Sequence, residues 1–155
     1  MNAALGLDSK TRLAHYYSGL IYLKLGKLDE AIVEFEKELD LNPGDIDARF
    51  HLGFACLAGQ KRERGVKLMR EVIRLKPDYG EAHYELGKSL LQQGDIKGAV
   101  SSLEAAAKLK PDEAYVHYQL GRAYLQAGRK TEGESHIELS RQLKEKARSQ
   151  ANQQR

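Results

Sequence analysis

The chain has 155 residues, of which 30% are charged and 41% hydrophobic, with three prolines, no tryptophan and a formal net charge of +3. No apolar run approaches the roughly 18 residues that a membrane-spanning helix needs, and residues 1–20 lack a basic segment followed by an apolar one, so neither a span nor a secretory signal is expected. A single cysteine, Cys56, rules out an internal disulfide, and a cytoplasmic setting is expected.

All three prolines, Pro43, Pro77 and Pro111, lie 34 residues apart, and so do Gly19, Gly53, Gly87 and Gly121. A fixed period between 20 and 50 residues marks a stack of identical units, each burying its apolar face against its neighbours. Taken in chain order, residues 1–11 align with the end of a unit's second helix: Leu5 falls against Leu39, Leu7 against Leu41 and Ser9 against Pro43. They read as part of a preceding unit, as in an array cut from a longer protein. From Arg12 the segments LAHYYSGLIYLKLGK and DEAIVEFEKELDLNP both carry apolar residues at helical spacing, parted by Gly26-Lys27-Leu28. Residues 12–45 are therefore a helical hairpin, and the pattern recurs over 46–79, 80–113 and 114–145. No segment alternates with period two, so strands are not expected.

Glycine inside a helix costs about 0.5–1 kcal/mol relative to alanine, so a column of four needs a compensating reason. Close helix approach supplies one, with the small column Ala31, Gly65, Ala99 and Gly133 expected opposite. Each proline ends a second helix. Asp45, Asp78 and Asp112 follow as candidate N-caps of the next hairpin. Glu145 stands where the fourth proline would be, so the last helix is expected to run on through residues 146–155 as a polar cap.

These columns resemble the tetratricopeptide repeat family, whose 34-residue unit has a leucine-glycine pair, an aromatic, a small residue, another aromatic and a closing proline. Unit one carries Gly19, Tyr22, Ala31, Phe35 and Pro43; unit three carries Leu86, Gly87, Gly94, Ala99, Leu103, Ala106 and Pro111. The departures are Ser18 for leucine in unit one, Cys56 and Met69 for aromatics in unit two, and Glu145 for proline in unit four. The resemblance implies an all-α, right-handed superhelical solenoid of four hairpins with a C-terminal helical extension. It also implies a non-catalytic module that binds a protein or peptide in a groove lined by the first helix of each unit.

The lining columns that the resemblance implies begin with Tyr16, Phe50, Tyr84 and Tyr118, then Tyr17, His51, Glu85 and Gln119, then Leu20, Phe54, Lys88 and Arg122. Units one and two are apolar there, whereas units three and four add charges. Such a groove suits an amphipathic helix or a peptide with an apolar anchor. The aromatic column serves equally for packing between neighbouring units, since tyrosine buries its ring while keeping its hydroxyl wet. Leu20 and Phe54 are the expected exposed apolar patch, because the same column later holds Lys88 and Arg122. Two binding modes of the family are missing. The places of the carboxylate clamp of chaperone-tail binders hold Tyr16, Leu20, His51, Glu81 and Glu85, and the asparagine-ladder column reads Tyr17, His51, Glu85, Gln119.

No catalytic, metal or cofactor site is expected. Gly87-Lys88-Ser89 ends like a phosphate-binding loop, but the motif's first glycine would be Ala82, inside a helix. His15, His83 and His117 share one column with Arg49, one unit apart and thus poorly placed to share an ion whose ligands stand near 2 Å. His51 and His136 have no ligand partner at helical spacing. Cys56 occupies a column of packing tyrosines. The positive balance belongs to the tail: residues 141–155 hold five basic residues and one acid, while the preceding 140 hold 20 basic and 21 acidic groups. That distribution argues against tracking a phosphate backbone, and a solvated helix face is the plainer use of the tail. The partner is expected to be a protein or peptide, with no nucleic acid and no membrane. Two other readings remain open: a regulatory or targeting segment of a multidomain enzyme whose catalytic part lies elsewhere, and weak self-association through the outer face of the first hairpin.

Overall fold

The computed structural model describes residues 14–153, and within them every regular element is a helix. The expectation about residues 1–11 lies outside the described residues. The chain divides into two compact units, Met1–Pro77 and Asp78–Arg155. The first holds α1 (residues 14–24), α2 (Leu28–Leu41), α3 (Ile46–Ala58) and α4 (Arg62–Leu75). The second holds α5 (Gly80–Gln93), α6 (Ile96–Leu109), α7 (Ala114–Gln126) and α8 (Lys130–Gln153). Helices α3, α5 and α7 begin 34 residues apart, as the sequence period requires. In each unit, consecutive helices pack on one another.

The core of the first unit is built around Ala31, Ile32, Phe35, Leu52, Ala55, Cys56 and Leu68, with Tyr16, Leu20, Tyr22 and Leu23 of α1 packed against it. The glycine column does permit close approach. A Cβ on Gly53 would meet Met69 and Leu68 at about 3 Å, and a Cβ on Gly121 would meet the carbonyl oxygen of Gly133 at 2.8 Å. At Gly19 and Gly87 the nearest groups are instead Phe35 and Leu103, at 2.6 Å. There a large side chain on the second helix fills the notch that the small column was expected to face.

Helix ends correct one expectation. Asp45 caps α3 by accepting a bond from the Ala48 amide at 2.9 Å. Asp78 and Asp112 do not cap, because they align with Gly44, one residue before the cap column that Asp45 opens, and Tyr79 and Glu113 occupy the cap positions. Asp95 caps α6 through the Gly98 amide, a contact the sequence reading overlooked. Helix α8 runs through Glu145 without a break.

The turns inside the hairpins form another column. Gly26, Gly94 and Gly128 adopt left-handed backbone with φ of 72°, 81° and 77°, and Gln60, at the same place in the second hairpin, is forced to φ 62°. A non-glycine residue there costs about 1 kcal/mol or more. Gln60→Gly is therefore expected to raise the thermal midpoint by a few degrees, equivalent to about 1 kcal/mol. A differential scanning calorimetry trace that shows no rise would contradict it.

Candidate functional site

The residues expected to line a groove sit on the first helix of each hairpin, α1 and α3 in one unit, α5 and α7 in the other. In the first unit, Tyr17 is 57% exposed, whereas Phe50 is buried and Tyr16, Leu20, His51 and Phe54 are half-buried. Leu20 and Phe54 are thus not the exposed patch that the sequence suggested. Leu20 leans on the first unit's core, where the absence of a Cβ at Gly19 lets α1 settle onto Phe35.

Aromatic groups cluster around His51. Its ring stacks on Phe35 at 5.6 Å and meets Tyr16 edge-on at 5.6 Å. His51 Nδ1 lies 2.8 Å from the Asp47 carbonyl, which can only accept, so the proton sits on Nδ1. The Tyr16 hydroxyl, 3.5 Å away, is then in contact with that nitrogen without a good hydrogen bond. Burial, followed by the charges of Asp47 and Asp45, pushes the Tyr16 phenol above its ordinary range, so it stays neutral.

In the second unit the same columns are polar. Glu85 is buried and pairs with Lys88 at 2.6 Å, and Lys88 also lies over the Tyr84 ring. Tyr84 meets Tyr115 edge-on at 4.8 Å. Burial and then the Glu85 charge raise its phenol pKa, against the hydrogen bond from Gln119. Tyr118 is 44% exposed, and Arg122 donates to Gln119 Oε1 at 3.2 Å. The open depression of about 510 Å³ at Gln60, Lys61, Arg62, Glu63 and Arg64 is lined by none of these residues.

A second set of polar contacts ties the hairpins together and was only half legible. His15 bonds Glu34 at 2.6 Å; Arg49 bonds Glu71 at 2.9 Å and also reaches the Pro43 carbonyl. The hydrogen bond from His15, then that from Lys37, holds the Glu34 carboxyl below its usual range. In the last hairpin His117 takes the same place. Its Nε2–H donates to the Pro111 carbonyl at 2.7 Å, which leaves Nδ1 as an acceptor for the Nδ1–H of His136 at 3.0 Å. The partnership had a signal in the sequence, since 15 and 34 are separated by the same interval as 117 and 136. Among the described residues no three metal-ligating side chains converge. Cys56 is fully buried, and that burial raises its thiol pKa, which fits packing and not reactivity.

The His117–His136 pair makes a pH prediction. Burial first, then the His117 charge, lowers the His136 pKa, against Glu132 on α8 and Glu104 on α6; Tyr124 of α7 and Arg129 beside it complete the surroundings. A histidine whose folded pKa lies below its unfolded value binds fewer protons when folded, so its stabilising share is present above about pH 6.5 and lost as pH falls below that. Amide protection factors in α7 and α8, which correct for the slower intrinsic exchange at lower pH, are expected to fall between pH 7 and 5, and His136→Gln to flatten that response. An unchanged pH response in the variant would contradict it.

Comparison with known families settles what the columns suggested. A tetratricopeptide repeat model matches residues 55–100 and 84–147, and a TPR repeat model matches residues 19–58. The chain belongs to the tetratricopeptide repeat family. Among solved structures, a crystal structure of MamA is similar with a TM-score of 0.82 and 22% identity over 96% of this chain and 86% of that one. MamA AMB-1 aligns at 0.72 and 27% over 84% and 72%, and MamA residues 41-end from Desulfovibrio magneticus RS-1 at 0.79 and 21% over 87% and 76%. These likenesses are of fold. No curated protein sequence matches the chain. As a tetratricopeptide array the chain is a protein-interaction scaffold, and none of its described helices is long and apolar enough to cross a membrane.

Proposed function

We propose that the array binds peptides or short helices on the faces of its first helices, one such face on α1 and α3 in the first unit and another on α5 and α7 in the second. The observation that carries this reading is the exposure of Tyr17 and Tyr118 on those faces, since large aromatic side chains left in water are the usual anchors of an interface. Half-buried Tyr16, Leu20, His51, Phe54, Tyr84, Lys88 and Gln119, together with exposed Arg122, would frame those anchors, while buried Phe50 and Glu85 would hold them in place. The test is a peptide library displayed on phage and selected on the full chain. Selected peptides are expected to lose at least tenfold in affinity on Tyr17→Ala or Tyr118→Ala, and to keep it on Val33→Ala or Leu109→Ala, which alter exposed residues of second helices. The reverse pattern would move the binding face to the second helices.

A second reading, weak self-association through α1, is supported by Tyr17 and Ile21 of that helix and Leu25 just beyond its end, spaced four apart and 57%, 59% and 64% exposed. Ile21→Glu should then abolish any concentration-dependent rise in sedimentation coefficient. A profile that is monomeric at high concentration before substitution removes the idea.

A further inference from the structure

Two cations in the second unit converge on one exposed ring without a counter-ion. Arg122, one turn along α7 from Tyr118, places its guanidinium carbon 6.0 Å from the centre of that ring. Lys144, from the extension of α8, places Nζ 5.6 Å from the same centre. Several other basic residues of this unit are paired, Lys88 with Glu85, Lys110 with Glu81, Arg129 with Glu132, and Arg141 with Glu138 and Glu145; what sets Arg122 and Lys144 apart from the remaining cations is the ring they share. Among the described residues, no carboxylate forms an ion pair with Arg122 or Lys144. The positive balance that the sequence assigned to a solvated tail therefore meets, at Lys144, the charge that α7 contributes to the candidate groove.

Each cation is drawn to the electron-rich ring, and an anion that reaches both from the ring's surroundings gains two attractions. The chemistry of the anion follows from the donors. Arg122 offers a planar fork that fits a carboxylate, Lys144 a point charge, and Tyr118 a flat surface for an apolar neighbour. Both helices are continuous through these residues, so their amides are bonded internally and form none of the backbone cradle typical of phosphate sites.

We propose that Arg122 and Lys144, gathered at Tyr118, bind a side-chain carboxylate of an acidic peptide whose neighbouring aromatic or aliphatic residue lies on the Tyr118 ring. This inference rests on the reading that the first-helix faces bind peptides. It adds Lys144, a second-helix residue, to that surface.

The probe is an acetylated, amidated hexapeptide, Ala-Phe-Glu-Glu-Leu-Ala, titrated into the full chain by calorimetry and by NMR of the arginine side chains, beside its Gln-Gln twin and inorganic phosphate. The acidic peptide is expected to shift the Arg122 Nε signal and to bind at least tenfold more tightly than the twin, with an affinity that falls as salt rises. Arg122→Gln with Lys144→Gln should erase that tenfold difference at an unchanged thermal midpoint, because both side chains are exposed, and Lys144→Arg should retain it. Equal binding of the twin, no binding of the acidic peptide, or full affinity in the double variant overturns the site. Equal protection of the Arg122 signal by millimolar phosphate overturns the carboxylate assignment. If the site fails while library-selected peptides still depend on Tyr118, the groove reading stands alone; if those peptides are also indifferent to Tyr17 and Tyr118, the groove reading has failed first.

Discussion

Replacing Phe35 with alanine is expected to destabilise the first unit by about 3–5 kcal/mol, a large part of the stability of a small domain. The ring is fully buried, stacks on His51 at 5.6 Å, meets Tyr16 edge-on at 6.1 Å, and occupies the space where Gly19 lacks a Cβ. Truncation removes the ring's burial and leaves a hole that backbone on both sides keeps open, since α1 is seated against Phe35 through the same glycine. Gly19→Ala alone is also expected to destabilise, because its methyl group would lie 2.6 Å from the ring. Combined with Phe35→Leu, however, that methyl fills part of the vacated volume, so the double variant should be more stable than the sum of the two single losses. Calorimetric melts of the parent chain and these four variants, with amide exchange read in α1 to α3, measure both the loss and the coupling. A Phe35→Ala loss below about 1 kcal/mol, or strict additivity, would show that the contact does not hold the two helices together.

That pair also shows how far the sequence could be read. Period alone placed the hairpins, the proline stops, the Asp45 cap and the uninterrupted last helix, because each depends on a residue's own backbone demands and its offset within the unit. Exposure is different, since it depends on which side chain stands across the gap. Leu20 and Phe54 share a column with Lys88 and Arg122 and on that ground seemed exposed, yet Leu20 is half-buried because Gly19 beside it lets α1 sink toward Phe35. The caps expected at Asp78 and Asp112 were lost by one residue of register. The left-handed turn column was overlooked because Gln60 breaks the run of glycines while keeping their backbone. Arg122 at Tyr118 repeats the place of Lys88 over Tyr84, but the arrival of Lys144 was not visible, because it joins a groove residue to the tail.

Gly121→Ala is expected to destabilise the last hairpin by about 1–3 kcal/mol, although alanine is the better helix former by about 1 kcal/mol. The sign depends on what the added methyl meets. At Gly121 the neighbours are the Gly133 carbonyl oxygen at 2.8 Å and the Ile137 amide nitrogen at 3.1 Å, both backbone atoms of α8, with the Ile137 side chain at 2.7 Å. Backbone inside a continuous helix cannot yield by changing a rotamer, so α7 and α8 must separate. Separation would stretch the His117–His136 contact and loosen Leu120 and Ala123 from the core, which turns a local clash into a loss shared along the hairpin. Gly44→Ala is the control. Its methyl would meet only the Asn42 side chain, at 3.8 Å, and it should leave stability within about 0.5 kcal/mol. Denaturant melts of the two variants beside the parent chain give the comparison, and amide exchange should localise the Gly121 effect to α7 and α8. If Gly121→Ala proves neutral or stabilising, helix propensity outweighs contact at this crossing, and the glycine column is not explained by close approach.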